Sequence, residues 1–305
     1  MPEQPSDEVK RVRRELPDHL RRRLYRRAIL IAVGGNILLA AAKGVVAWQT
    51  GSSAVLSDAA NSLSDTFYSL LMAVGLYLAQ QPADRGHPQG HSRFEPLVSL
   101  LIAIAMGVAG YSAIRTAVER FRTGGGAVAI AWPTVVLLGS GVVKVAMYRL
   151  VIGLGRQSDS PALRASARDN LADVLASLAA WAGVLGSNLV HPLLDPIMGA
   201  AVALWIFRAM GEILYENLGY LTGRGAPPEV TEDIVEAASA VPGVVNVHQV
   251  IADYVGPELR VDMHIDVDGE MTLHQAHAIA EKVTERVEGL SSVDLAFVHV
   301  EPADH

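Results

Sequence analysis

Six stretches of this 305-residue chain are long and apolar enough to cross a bilayer, which takes about 20 residues per helix. They run roughly from 28 to 48, 53 to 79, 96 to 117, 131 to 153, 166 to 189 and 196 to 221. The pattern then changes: from Arg224 on, 16 Asp and Glu stand against 4 Lys and Arg, and no run is long enough to span. There, helical periodicity over Glu229 to Ala240 is stopped by Pro242-Gly243. Two β-rich runs follow, Val247 to Tyr254 and Leu259 to Val267, bracketing the turn signal Gly256-Pro257. An amphipathic run from Thr272 to Glu288, with Thr272 as N-cap and Gly289 as stop, leads into a last strand over Val293 to Val300. An α-β-β-α-β order predicts a small open-faced sandwich with its helices on one side of the sheet. The expected fold class is an α-helical membrane protein with six transmembrane helices and a C-terminal α+β domain. Its expected domains are a basic tail (1–27), a membrane domain (28–222) and a soluble domain (223–305).

Polar residues inside the apolar stretches carry the chemistry. Asn61 and Asp65 lie four apart in the second, and Asp169 and Asp173 lie four apart in the fifth. A charge near the bilayer centre costs about 3 kcal/mol or more, so such residues face a cavity, a partner or an ion. Positions i and i+4 share one face of a helix, so each pair can offer oxygens to one cation. Two such helices side by side make a four-ligand, oxygen-only site. The plainer role for these aspartates is an interhelical hydrogen bond or a salt bridge to Lys43 or Lys144, which two matched pairs make the weaker explanation. For the lysines themselves, pairing with polar groups of the helices is the expectation. Asp58, one turn before Asn61, stays outside the core site. Like charges gathered in one cavity repel, so at least one aspartate is expected to take up a proton when metal leaves and release it when metal enters.

Half the residues are hydrophobic and the mean hydropathy is +0.28, which fits a membrane domain joined to a soluble one. There is no cysteine, so any metal must be held by oxygen and imidazole. Eight arginines crowd the segment from Lys10 to Arg27, and such a segment stays in the cytoplasm. With six spans, the soluble domain and the loops at 80–95 and 154–165 face the same side. Arg115, Arg120 and Arg122 dissent mildly by falling on the outer side. Since the basic tail already has an orienting and lipid-facing job, no nucleic-acid partner is expected. The first apolar run is of full span length rather than a cleavable leader, and the expected location is the plasma membrane. No phosphate loop, nucleophile elbow or Walker lysine is present, so neither an enzyme nor a prosthetic group is expected.

Imidazoles gather outside the spans. Asp84, His87 and His91 lie close together in the loop after the second span, where a metal site and a solvated polar cluster are both open readings. In the soluble domain, His248 and His264 sit on the hairpin strands, His277 on the second helix, and His299 with Glu301 on the last strand. Two residues apart on a strand, His299 and Glu301 share a face. Four histidines and a carboxylate in so small a domain point to metal, against the plainer reading of surface histidines.

At these residues the chain resembles the cation diffusion facilitator family of divalent-metal transporters, from about Ala28 to Pro302. The run GSSAVLSDAANSLSD ending at Asp65 is similar to the family's second-helix signature, and PADRGHPQGHSRFEP from Pro82 to Pro96 to its following loop. The element DNLAD from Asp169 to Asp173 and the Asp195-Pro196 opening of the last span complete the match. The resemblance implies a homodimer, a metallochaperone-like cytoplasmic domain, and alternating access that moves metal out in exchange for protons. It implies a transport site of Asn61, Asp65, Asp169 and Asp173, and a second site of Asp84, His87 and His91. It also implies metal binding by His248, His264, His277, His299 and Glu301.

The transport set contains no histidine. Carboxylate, amide and water oxygens suit hard ions, whereas zinc prefers nitrogen or sulfur ligands in a tetrahedron. Mn2+ is the expected cargo, with Fe2+ next, and the resemblance to the manganese-exporting branch points the same way. Two alternatives stay open: a Zn2+ or broad-range exporter with a permissive oxygen site, and a non-transporting membrane scaffold that senses metal through its soluble domain.

Overall fold

The computed structural model describes residues 19–50, 53–124 and 132–303. Six long helices come first: α1 (His19–Thr50), α2 (Ser53–Ala79), α3 (Phe94–Arg122), α4 (Trp132–Gln157), α5 (Pro161–Leu189) and α6 (Leu194–Leu221). The shortest, α4, has 26 residues. At 1.5 Å per residue that is roughly 39 Å, enough to cross a hydrocarbon core of about 30 Å. By length and composition α1, α3, α6 and the described part of α2 qualify as membrane spans. In α5 the apolar run is interrupted by Arg164, Arg168, Asp169 and Asp173, and α4 has its side chains described only from Gly139 on.

The six-helix unit is built inside out relative to a water-soluble bundle. Bulky apolar side chains such as Leu30, Trp48, Tyr77, Ile104 and Val142 are exposed. Asn36, Lys43, Ser62, Glu95, Lys144 and Asn170 are buried. Lipid tails are as apolar as leucine, so packing and interhelical polar contacts hold such helices together. A cluster of Tyr25, Met72, Leu76, Met106, Leu163 and Ile213 fills the rest of the interior. Helix α1 starts well before the apolar run does, taking in Arg21, Arg22, Arg23, Arg26 and Arg27. Arginine is a good helix former, so hydropathy marks the span but not the helix. The dissenting arginines of α3 are partly neutralised: Arg115 pairs with Glu119 at 3.0 Å, and Arg120 with Asp195 of α6 at 2.5 Å.

One buried carboxylate braces three helices. Glu95, in the first turn of α3, accepts a hydrogen bond from the Tyr25 hydroxyl of α1 at 2.7 Å, while the Ser160 hydroxyl also donates to it. Ser160 is the N-cap of α5, accepting from the Leu163 N–H at 3.2 Å, with Pro161 in the first turn. Arg21 lies 3.8 Å from the same carboxylate and donates to the Tyr25 oxygen at 2.9 Å.

The chain divides into two compact units, Met1–Asn217 and Leu218–His305. The second contains α7 (Pro228–Ser239), β1 (Asn246–Val255), β2 (Glu258–Val267), α8 (Leu273–Glu288) and β3 (Val293–Pro302), in the expected order. Strand β2 is central, antiparallel to β1 and parallel to β3. Its alternation is strict: Leu259, Val261, Met263, Ile265 and Val267 are buried, and Arg260, Asp262, His264 and Asp266 lie on the other face. The buried face packs on Ile234 and Ala238 of α7 and on Ile279, Val283 and Val287 of α8. Thr272 closes a full capping box with Gln275. Gly289 ends α8 in a right-handed conformation, whereas Gly243, after α7, takes a φ of +103° that a side chain would resist.

Candidate metal centre

Three aspartates from two helices meet in the membrane unit. Asp65 of α2 and Asp169 and Asp173 of α5 each bring one carboxylate oxygen to within 4.8 Å of the others. The i, i+4 spacing on α5 aims both of its carboxylates at one neighbour, and polar contacts hold α2 in place. The Asn36 amide of α1 donates to the Ser69 hydroxyl at 2.6 Å, and Ser69 donates to the Asp65 carbonyl at 2.8 Å. Lys43 of α1 donates to the Ser62 hydroxyl at 3.0 Å. Asn61, one turn before Asp65, is exposed and makes no hydrogen bond among the described residues.

A fourth charged group stands with the aspartates. The Lys144 ammonium of α4 donates to Asp65 Oδ2 at 2.9 Å and approaches Asp173 Oδ2 at 2.7 Å. The second contact is an ion pair without hydrogen-bond alignment, because Asp173 Oδ2 accepts no hydrogen bond despite its burial. Lys144 is 5 % exposed in its side chain, against 29 % for Asp173. Among the described residues, Asp169 makes no hydrogen bond or ion pair of its own. The salt bridge to a lysine, ranked from the sequence as the weaker role for these aspartates, is thus present: Lys144 makes it with Asp65, 79 residues away, and with Asp173, while Lys43 turns to Ser62.

In the loop after α2, Asp84, His87 and His91 also bring ligand atoms within 4.8 Å. Asp84 Oδ1 accepts from the N–H groups of His87 at 2.7 Å and Gly86 at 2.8 Å, a turn that an aspartate makes with its own backbone. The His87 N–H, then that of Gly86, holds the exposed Asp84 carboxyl below the usual aspartate range. The two imidazoles lie 4.4 Å apart, and Phe94 sits 5.4 and 5.7 Å from them. The His91 Nδ1 is buried and makes no hydrogen bond.

In the second unit the polar face of the sheet gathers His248, His264 and Glu301. His264 Nδ1 is 2.7 Å from Glu301 Oε1, His248 Nε2 is 3.7 Å from Oε2, and His299 Nε2 is 3.6 Å from Oε1. The parallel register places His299 beside His264 and Glu301 beside Asp266. His248 falls at a register shift between Val247 and Gln249, and such a bulge re-aims a side chain. It pairs with Asp266 at 2.9 Å, a carboxylate the sequence reading missed although it lies two residues after His264 on the same face. His277 stands apart. It is exposed on α8, beside Glu281 at 3.4 Å, and α8 covers the apolar face of the sheet while the cluster lies on the other.

The chain matches the cation efflux transmembrane domain over residues 29–222 and the cytoplasmic domain of cation efflux proteins over residues 226–303. It is 35 % identical over 276 residues to the uncharacterized transporter MJ0449 of Methanocaldococcus jannaschii, covering 90 % of this chain and 98 % of that one. It is 31 % identical over 268 residues to the magnetosome protein MamM of Paramagnetospirillum magneticum, covering 85 % and 82 %. With the manganese efflux system protein MneS of Bacillus subtilis it shares 25 % over 278 residues, covering 90 % and 94 %. Among solved structures, a cadmium form of the MamM CTD is 40 % identical, covers 25 % of this chain and 98 % of that one, and has a TM-score of 0.25. Two domain matches in sequence and relatives aligned over nearly the whole length place the chain in the cation diffusion facilitator family, as a multi-pass membrane protein for the efflux of divalent metal cations.

Proposed function

We propose that this protein exports Mn2+, with Fe2+ as the next best cargo, across the plasma membrane in exchange for protons. It works as a homodimer with both termini in the cytoplasm. The observation that carries the reading is the all-oxygen character of the membrane cluster: Asp65, Asp169 and Asp173 converge with no imidazole among them. Such a donor set, completed by Asn61 and water, suits a hard six-coordinate ion better than zinc. The relative MneS, a manganese efflux system protein by name, points the same way. The loop cluster at Asp84, His87 and His91 and the tail cluster at His248, His264, His299 and Glu301 act as regulatory metal sites. His277 is available to a metal only from its separate place on α8. Three carboxylates around one space repel when the ion has gone, and proton uptake by one of them supplies the exchange.

The test is metal flux into proteoliposomes under a pH gradient, comparing Mn2+, Fe2+ and Zn2+ for the wild type and Asp65→Ala. Mn2+ flux that collapses in the variant, with poor Zn2+ flux in the wild type, is the expected result. Equal Zn2+ flux would move the seat of selectivity away from these oxygens, and no flux of any metal would favour the metal-sensing scaffold.

A further inference from the structure

The aspartate cluster that the proposed transport rests on already holds a cation, and it is part of the chain. We propose that Lys144 is a tethered competitor for the cargo: its ammonium occupies the metal-free site and must leave Asp65 and Asp173 for a divalent ion to bind. It then returns behind the departing ion.

The geometry supports this in three ways. First, the ammonium lies 2.9 Å from one Oδ2 and 2.7 Å from the other, the two oxygens that a bridging ion would take at about 2.0–2.6 Å. An ion on the same side overlaps the ammonium, and an ion on the far side shares both oxygens with a neighbouring positive charge. Second, Lys144 engages Asp65 and Asp173 and leaves Asp169 without an ion pair among the described residues. The site thus keeps one open carboxylate on which an incoming ion can land before the lysine is displaced. Third, the charges match a divalent cargo. Once metal entry has expelled the exchanged proton, three carboxylates and one ammonium sum to minus two, so one divalent ion in the same cavity brings the set to neutrality, while a monovalent ion leaves it charged. A lysine suits the task because its charge is compact and its four-carbon stem is flexible. Withdrawing from the oxygens does not require α4 itself to move.

A tethered competitor lowers affinity and speeds release, and this separates it from a merely structural ion pair. In Lys144→Met the stem stays and the charge goes. Mn2+ binding to the purified full-length variant, titrated calorimetrically at constant pH, is expected to tighten at least tenfold. Flux in proteoliposomes is expected to show a lower KM together with a lower kcat, because the ion leaves slowly. Lys144→Arg, which keeps the charge, is expected to return both constants most of the way to wild type. Should Lys144→Met not purify as a folded protein, Lys144→Gln carries the same comparison. Unchanged or weaker Mn2+ binding in the charge-free variant, or a kcat loss at constant KM, would overturn the proposal. Running every titration with Zn2+ as well keeps the two ideas apart. A cargo other than Mn2+ changes which metal binds the wild type, whereas the role of Lys144 is read from the ratio of variant to wild type for whichever metal binds.

Discussion

Glu95 offers the most direct check on how the membrane unit is held together. It is 1 % exposed and takes hydrogen bonds from Tyr25 on α1 and Ser160 at the start of α5, with Arg21 nearby. Glu95→Ala removes the acceptor for both hydroxyls and leaves a void at the junction of three helices. Tyr25 keeps its contact with Arg21 and Ser160 keeps its cap on Leu163, so not every partner is orphaned. Breaking a buried charged network by removing one member costs about 3–5 kcal/mol. At about 2–4 °C per kcal/mol for a unit of this size, the midpoint of thermal unfolding should fall by roughly 10 °C. The assay is the fraction of detergent-solubilised protein that remains monodisperse on size exclusion after heating. Glu95→Gln, which keeps the shape and one carbonyl acceptor, should lose less. A Glu95→Ala midpoint within about 2 °C of wild type, less than 1 kcal/mol, would refute the bracing role.

Two further outcomes follow from the sites outside the spans. Glu301→Gln removes the charged oxygen that His264, His248 and His299 all approach. Charge-assisted contacts of about 1.5–3 kcal/mol translate into a loss of roughly ten- to a hundredfold in metal affinity at the tail, seen by calorimetry as one weakened binding event with saturating flux retained. For Asp84, a carboxyl held below its usual range makes a contribution that is fully present above that range and is lost only as pH falls through the lowered value. The turn should therefore persist from pH 7 down to about 4, the ordinary aspartate value. Protection of the Gly86 amide against hydrogen exchange, relative to its intrinsic rate, should hold over that window and fall below it; loss of protection beginning near pH 6 would contradict the two backbone contacts.

The parts of this protein that hydropathy and spacing reveal are those set by local periodicity. The six helices announce themselves by apolar runs, the paired carboxylates by their i, i+4 spacing, and β2 by strict alternation. What stayed hidden depends on contacts between distant segments. A lysine partner for the aspartates was conceivable from the sequence, but nothing local chose Lys144 over Lys43 or showed that one ammonium reaches both α2 and α5, and nothing near Glu95 indicates that it joins α1 to α5. Asp266 was legible in principle as the same-face neighbour of His264, but the bulge that turns His248 toward it arises from how β1 pairs with β2. His277 looked equivalent to the other histidines because composition counts residues without regard to which side of a sheet they occupy. The early start of α1 was missed because arginine reads as non-membrane in hydropathy while favouring the helix.

The placement of β3 bears on how the tail matures during synthesis. Its Glu301 carboxylate is the group that His248, His264 and His299 share, yet β3 is the last strand of the sheet to be made and pairs with β2 only after α8 has crossed over. A nascent chain that has made β1 and β2 displays two histidines and Asp266, without the oxygen around which they gather. The tail therefore cannot collect its three histidines around one carboxylate until the ribosome has released enough chain for β3 to dock.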